Sequence, residues 1–155
     1  MAKPVHINAA DAESRTKQQH GAYAYTRCDL VPRDATANCA LRMYELKPGM
    51  SAYPYHYHLK NEEIFFILRG VGVLRTPEGE RTVAPGDCFY FPADERGAHK
   101  LTNTSPDAAL VYLDFGVCHD LDVALYPDSG KIGVWGKDVN QLFETKNDVD
   151  YYKGE

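Results

Sequence analysis

Between Cys39 and Phe115 the chain alternates apolar and polar residues in short runs, each closed by a proline or glycine. "CALRMYEL" (39–46) alternates and stops at Pro48-Gly49, which predicts a strand and a turn. "AYPYHYH" (52–58) alternates as well, but Pro54 has no amide hydrogen to give, so the segment belongs at a sheet edge or a bulge. "EEIFFILRG" (62–70) is an apolar run ended by Gly70 and reads as a buried strand. "VGVLRT" and "ERTVAP" flank Pro77-Glu78-Gly79 and predict a hairpin. "APGDCFYFP" predicts a turn and a short aromatic strand. "GAHKLTN" and "ALVYLDFG" follow, separated by the turn Ser105-Pro106-Asp107. Roughly eight short strands with frequent turn signals and no helix among them predict an all-β sandwich or barrel. Its core is expected from Ile64, Phe66, Leu68, Val71, Val73, Phe89 and Val111.

The ends are patterned more weakly. Residues 1–36 are polar and predict either a short helix, capped by Asn8 and stopped by Gly21, or a loosely held arm. After Phe115, "YPDSGKIGVWGKD" is turn-rich with one strand, and "NQLFETKNDVDYYKGE" reads as a polar tail. The expected organisation is an N-terminal arm (1–36), a β-barrel (37–118) and a C-terminal extension packed on or trailing it (119–155).

Composition narrows the function more than the fold. With 155 residues the chain is most simply one domain, and its 11 tyrosines and 9 prolines suit a strand-rich, turn-rich architecture. A net charge of −5 offers no footprint for nucleic acid or an anionic membrane, which leaves small molecules or proteins as partners. No apolar run is long enough to span a bilayer, and Met1–Ala10 lacks the apolar stretch of a signal peptide, so a cytoplasmic protein is expected. Cys28, Cys39, Cys88 and Cys118 are far apart with no C-x-x-C pair, and read as reduced thiols packed as small hydrophobes. Tyrosine-rich outer strands and an arm able to pair with a neighbouring edge predict a homodimer.

Chemistry concentrates in "YPYHYHLKNEEIFFILRG" (53–70). In a strand, residues i and i+2 share a face, so His56 and His58 point one way and Tyr53, Tyr55 and Tyr57 the other. Two imidazoles roughly 6–7 Å apart along a strand can converge on one ion. The "LKN" turn then brings Glu63 alongside. A carboxylate entering an apolar run needs a positive partner: a divalent cation, Arg69, Lys60 or a protonated histidine.

The spacing Gly49 … His56-x-His58-x4-Glu63-x6-Gly70 resembles the first conserved motif of the cupin family, and Gly86-x5-Pro92 … His99-x3-Asn103 resembles its second. The resemblance covers about residues 40–115, and the "DVALYPDSGK" segment is similar, more loosely, to the region after the barrel in a subgroup of small bacterial cupins. It implies a double-stranded β-helix (jelly roll) and a metal held by His56, His58, Glu63 and His99. There are three departures, the first being six residues rather than five between Gly49 and His56, which lengthens a turn. Asp94 occupies a position where the second motif has glycine, and His99 comes two residues later than usual. Glu62 competes with Glu63, but only Glu63 keeps the x6 spacing to Gly70.

Such a site implies a small polar substrate and a divalent transition metal (Zn, Mn, Fe or Ni), with two open coordination positions. The first expectation is a metal-dependent isomerase or epimerase of a sugar or sugar phosphate, with Arg96 as anion contact and Glu62, Glu95 or Tyr112 as base. An Fe(II) dioxygenase and a non-catalytic ligand-binding or sensor cupin are the alternatives. His6, His20 and His119 read as surface residues.

Overall fold

A computed structural model describes residues 4–32, 35 and 38–155. The expected boundary between arm and barrel, at residues 36–37, falls at the edge of this set, with Thr36 and Ala37 outside the described residues. Strands make up nearly all of the regular secondary structure of the described chain. In order these are β1 (Ser14–His20), β2 (Tyr23–Val31), β3 (Cys39–Leu46), β4 (Tyr57–His58), β5 (Glu63–Arg69), β6 (Gly72–Thr76) and β7 (Gly79–Val83). Then come β8 (Cys88–Phe91), β9 (Lys100–Asn103), β10 (Leu110–Val117), β11 (Leu121–Tyr126), β12 (Lys131–Gly136) and β13 (Asn140–Glu144). Three antiparallel sheets result, ordered β1-β2-β3-β10-β5-β8, β13-β12-β11-β4 and β7-β6-β9. This is the all-β barrel predicted from the strand pattern, in the jelly-roll form that the cupin resemblance implies. No described helix is long and apolar enough to cross a membrane.

Both ends of the chain differ from expectation. In place of the expected helix from Asn8 to Gly21, Ala9–Asp11 form a single 3-10 turn capped by Asn8. Residues 14–31 instead form a hairpin that adds β1 and β2 to the large sheet, with Gly21 at its turn in the left-handed region (φ +58). Three paired strands, β11 to β13, replace the single strand and polar tail expected after Phe115. Sheet neighbours decide these cases: a polar strand whose backbone is paired needs little hydrophobic pattern of its own.

The core also departs from the expected list, at four of its seven residues. Along β5 the buried side chains are Phe65 and Ile67, while Ile64, Phe66 and Leu68 lie 37–41% exposed on the outer face, as does Val71 beyond the strand (45%). A uniformly apolar run carries no parity of its own, so it could not announce which face the barrel buries. Pairing settles it: Glu63, Phe65 and Ile67 share a face with Tyr112 and Tyr44, and the core is Tyr44, Leu46, Ile67, Leu74, Leu110 and Tyr112 with their neighbours. Val111 is buried, and Val73 and Phe89 are half-buried. Gly70 ends β5 with φ +86, where a Cβ would come 2.4 Å from the carbonyl oxygen of Ala109; only glycine fits. Accordingly, Ile67→Ala is expected to cost about 2–5 kcal/mol and Leu68→Ala less than about 1 kcal/mol in urea unfolding; similar losses would refute this parity.

Candidate metal centre

Three pieces of chain carry the four side chains: His56 and His58 on one, Glu63 on the next and His99 on a third. The expected strand over 52–58 shrinks to Tyr57–His58, because Pro54 and the turn before it break the pairing. His56 is held instead by a two-way bridge to His99, N–H to O=C at 3.2 and 2.9 Å. His58 pairs with Ala124 of β11, and Glu63 opens β5 opposite Gly116. The rings of His56 and His58 are 5.1 Å apart, and those of His56 and His99 4.8 Å. Ligand atoms of His56, His58 and Glu63 lie within 4.8 Å of one another. His99 joins through Nε2, 3.3 Å from Glu63 Oε2; His58 Nε2 is 3.6 Å from that oxygen.

Each imidazole is anchored through its other nitrogen. His56 Nδ1–H donates to the Pro54 carbonyl (2.8 Å), His99 Nδ1–H to the Gly97 carbonyl (2.9 Å) and His58 Nδ1–H to Asp122 Oδ2 (2.5 Å). All three partners only accept, so the proton sits on Nδ1 and the Nε2 lone pair is left for something else. Asp122 is 2% exposed, and its other oxygen accepts from the amides of Lys60 (3.0 Å) and Asn61 (3.2 Å). Ring stacking completes the support: Phe91 lies on His99 (3.8 Å, 18°) and Tyr126 on His56 (5.7 Å, 17°).

The donor set fits a divalent cation. His99 Nε2 and Glu63 Oε2 are buried, face each other at 3.3 Å and have no hydrogen-bond partner. A carboxylate lone pair against an imidazole lone pair repels unless a positive species lies between them. A proton would answer that one pair. Only a metal ion answers His56 and His58 as well, and three imidazoles with one carboxylate are the mixed donors that Zn, Mn, Fe and Ni accept.

Electrostatics in the metal-free protein follow from the same packing. Burial alone would push the Glu63 carboxyl up, but His99 and the other imidazoles outweigh it and hold it well below the usual carboxylate range. Burial, then the neighbouring His99, lowers His56 to about 3, which keeps its lone pair free. Burial also opposes the charged form of His58, yet Asp122 and Glu63 raise it overall. Asp114, buried on the inner face of β10, is lifted to about 7, first by burial and then by the charge of Glu63.

Of the other residues singled out in the sequence, Tyr112 lies inside the barrel, stacked on Tyr44 (5.2 Å) and against Phe65 (4.8 Å). Glu62 turns to the outer face and accepts a short hydrogen bond from Tyr90. Glu95 is exposed, and Arg96 is 79% exposed with its guanidinium on Asp94 (2.6 Å). Asp94 itself adopts φ +92, the backbone region that suits the glycine of the cupin motif, while its amide donates to the His58 carbonyl (2.7 Å). His6, His20 and His119 are exposed. No disulfide joins the cysteines, and Cys88 is exposed rather than packed. Tyr53 does not turn away from the histidines: its hydroxyl meets those of Tyr44 (3.1 Å) and Tyr25 (3.2 Å), because residues 53–56 are not a regular strand.

Asp122 and Tyr126 were not singled out as site residues. The available signal was an acid heading the alternating run "DVALY", where a buried parity should carry an apolar residue.

Comparison with known proteins agrees with this geometry. The cupin domain family matches residues 42–116, and the chain belongs to the cupin superfamily. No functionally curated protein matches. A cupin-superfamily sugar phosphate isomerase from Silicibacter pomeroyi is 22% identical, with TM-score 0.80 over 96% of this chain and 98% of its own. A protein from Acidithiobacillus ferrooxidans, provisionally named a sugar phosphate isomerase, is 25% identical, with TM-score 0.78 over 94% and 95%. A polyketide cyclase from Streptomyces resistomycificus is 24% identical, with TM-score 0.61 over 77% and 81%. Both isomerase-named structures are matched nearly end to end, so the similarity extends to the N-terminal hairpin and the C-terminal strands.

Proposed function

We propose that this cupin is a metal-dependent enzyme of a small polar metabolite, isomerising or epimerising a sugar or sugar phosphate. One observation carries the reading: three imidazoles, each tied down at Nδ1, present Nε2 toward Glu63 inside the barrel. His56, His58, Glu63 and His99 would hold the ion, which supplies Lewis-acid polarisation of a carbonyl when bound. The chain's own contribution is orientation and dryness. The carbonyls of Pro54 and Gly97 and the carboxylate of Asp122 fix the tautomers, while Phe91 and Tyr126 hold the rings and keep water from their faces. The name given to the 25%-identical Acidithiobacillus protein supports the substrate class.

The test is elemental analysis of protein purified without chelators or a metal-affinity tag, followed by NMR in deuterium oxide with a panel of aldose and ketose phosphates. A bound divalent ion and deuterium at the carbon beside the carbonyl are expected, with exchange lost in Glu63→Gln. Bound iron with substrate-dependent oxygen uptake would replace this reading with a dioxygenase. Bound metal with no exchange across the panel would leave a ligand-binding cupin.

A further inference from the structure

Glu63 faces Gly116 across the β5–β10 pair, and Gly116 faces Ala40 on β3. That inward row therefore has a carboxylate at one side and very little side chain beyond it. The next inward row holds Phe65, Asp114, Arg42 and Asp29. A Cβ built on Gly116 would meet nothing closer than Arg42 Nη1 at 3.7 Å and Asp114 Oδ1 at 3.9 Å. Gly116 is not among the glycines in the left-handed region, so its backbone does not require the absence of a side chain. A glycine inside a strand without that excuse marks a place where something else comes close. Here the place adjoins the candidate metal centre and is floored by a carboxylate and a guanidinium.

Asp114 is only half used by the protein. It is 4% exposed, and its Oδ2 accepts from Arg42 Nη1 at 3.3 Å. Its Oδ1, the oxygen that leans toward Gly116, is buried without a partner. An ion pair serving the sheet alone would not need a bare oxygen. Arg42 has further N–H groups to give, its other close acid, Asp29, lying 3.8 Å from Nε.

We infer that Asp114 and Arg42 form a substrate subsite beside the metal centre for an α-hydroxy carbonyl or α-hydroxy acid unit, Asp114 Oδ1 accepting the hydroxyl hydrogen and Arg42 donating to the adjacent oxygen. The inference rests on the metal-site reading proposed above and deepens it. A sugar's carbonyl end carries this unit, and Gly116, paired opposite Glu63, puts no side chain of its own between the two sites. The exposed Arg96, spent on Asp94, is not needed as the anion contact.

Cobalt-loaded protein titrated with glycolate, and with acetate as the partner lacking the hydroxyl, tests the subsite through the visible spectrum of the ion. Wild type should prefer glycolate. Asp114→Asn turns an acceptor into an amide whose N–H₂ faces the subsite if its oxygen stays on Arg42; it should weaken glycolate about tenfold, acetate little, and leave cobalt content unchanged. Gly116→Val, a residue that strands accept, should fill the space and weaken both ligands without loss of cobalt. If cobalt is held and Asp114→Asn keeps the glycolate preference, the subsite is wrong and the metal centre stands. If wild type takes up no cobalt, the metal reading fails and the subsite with it. Should Asp114→Asn not fold, unchanged glycolate affinity in Gly116→Val overturns the inference.

Discussion

Glu63→Gln is expected to strip the barrel of its metal while leaving it folded. The glutamine keeps the volume and one oxygen of the glutamate but loses the charge that His58 and His99 approach at 3.6 and 3.3 Å. Metal affinity should fall by more than about 100-fold, beyond the loss that follows from disturbing an outer partner of a ligand. The fold should survive for two reasons. The core runs through Tyr44, Ile67, Leu74, Leu110 and Tyr112, on inner rows other than Glu63's own. The mutation also removes a buried carboxylate oxygen that has no hydrogen-bond partner and replaces it with an amide able to donate to the bare Nε2 of His99. In metal-stripped protein the change should stay within about 1 kcal/mol, a shift of a few degrees in melting temperature. Elemental analysis and a melting curve on the same sample check both halves. Retention of stoichiometric metal by Glu63→Gln would remove Glu63 from the site, and a collapse of the stripped wild type would show that the ion, rather than the core, holds the barrel together.

How much of this was legible beforehand varies with the physics of each segment. The strands from "CALRMYEL" to "ALVYLDFG" could be read because alternation and turn residues agreed, and the structure places β3, β5, β6–β7 and β10 on those runs. The face of β5 could not be read, since "IFFIL" is apolar at both parities, and the expected core list took the outer set. Yet Glu63 and Gly70 were chosen by spacing, and Glu63 sits on the inner face that the apolar residues could not identify. The convergence of His56 and His58 held for a different reason than same-face alternation. Only His58 lies in a strand, and His56 is aimed by its backbone bridge to His99. The N-terminal hairpin was hidden because β1 is wholly exposed and wins its place through backbone pairing with β2. Asp94 was visible as a misfit to the glycine position, and its φ of +92 lies in the region that glycine adopts most readily.

The extension after the barrel was the least legible part, yet it supplies Asp122 and Tyr126 to the site, and Asp122→Ala tests that contribution. Asp122 accepts from His58 Nδ1 and from the amides of Lys60 and Asn61, so it both fixes the His58 tautomer and pins the turn leading to Glu63. Alanine leaves three donors without their acceptor. Stripped protein should lose about 3–5 kcal/mol, toward the lower figure because His58 keeps some contact with water, and metal affinity should fall roughly 10–100-fold. Asp122→Asn can keep the backbone contacts but cannot accept from both the amides and His58 with one oxygen, so its affinity loss should persist with a smaller stability loss. The pair also leaves a signature in pH. Burial raises the Asp122 carboxyl, but His58 and the two amides depress it below its ordinary 3.8; its contribution is present above that value and lost as pH falls through the depressed pKa. His58 is raised above its ordinary 6.5, so its contribution is complete below 6.5 and lost as pH rises through the raised pKa. In urea unfolding, the stability difference between stripped wild type and Asp122→Ala should therefore be largest between about pH 4 and 6.5 and shrink on each side. An Asp122→Ala protein with wild-type metal affinity would mean that His58 is held by its strand alone and that the extension has no part in building the site.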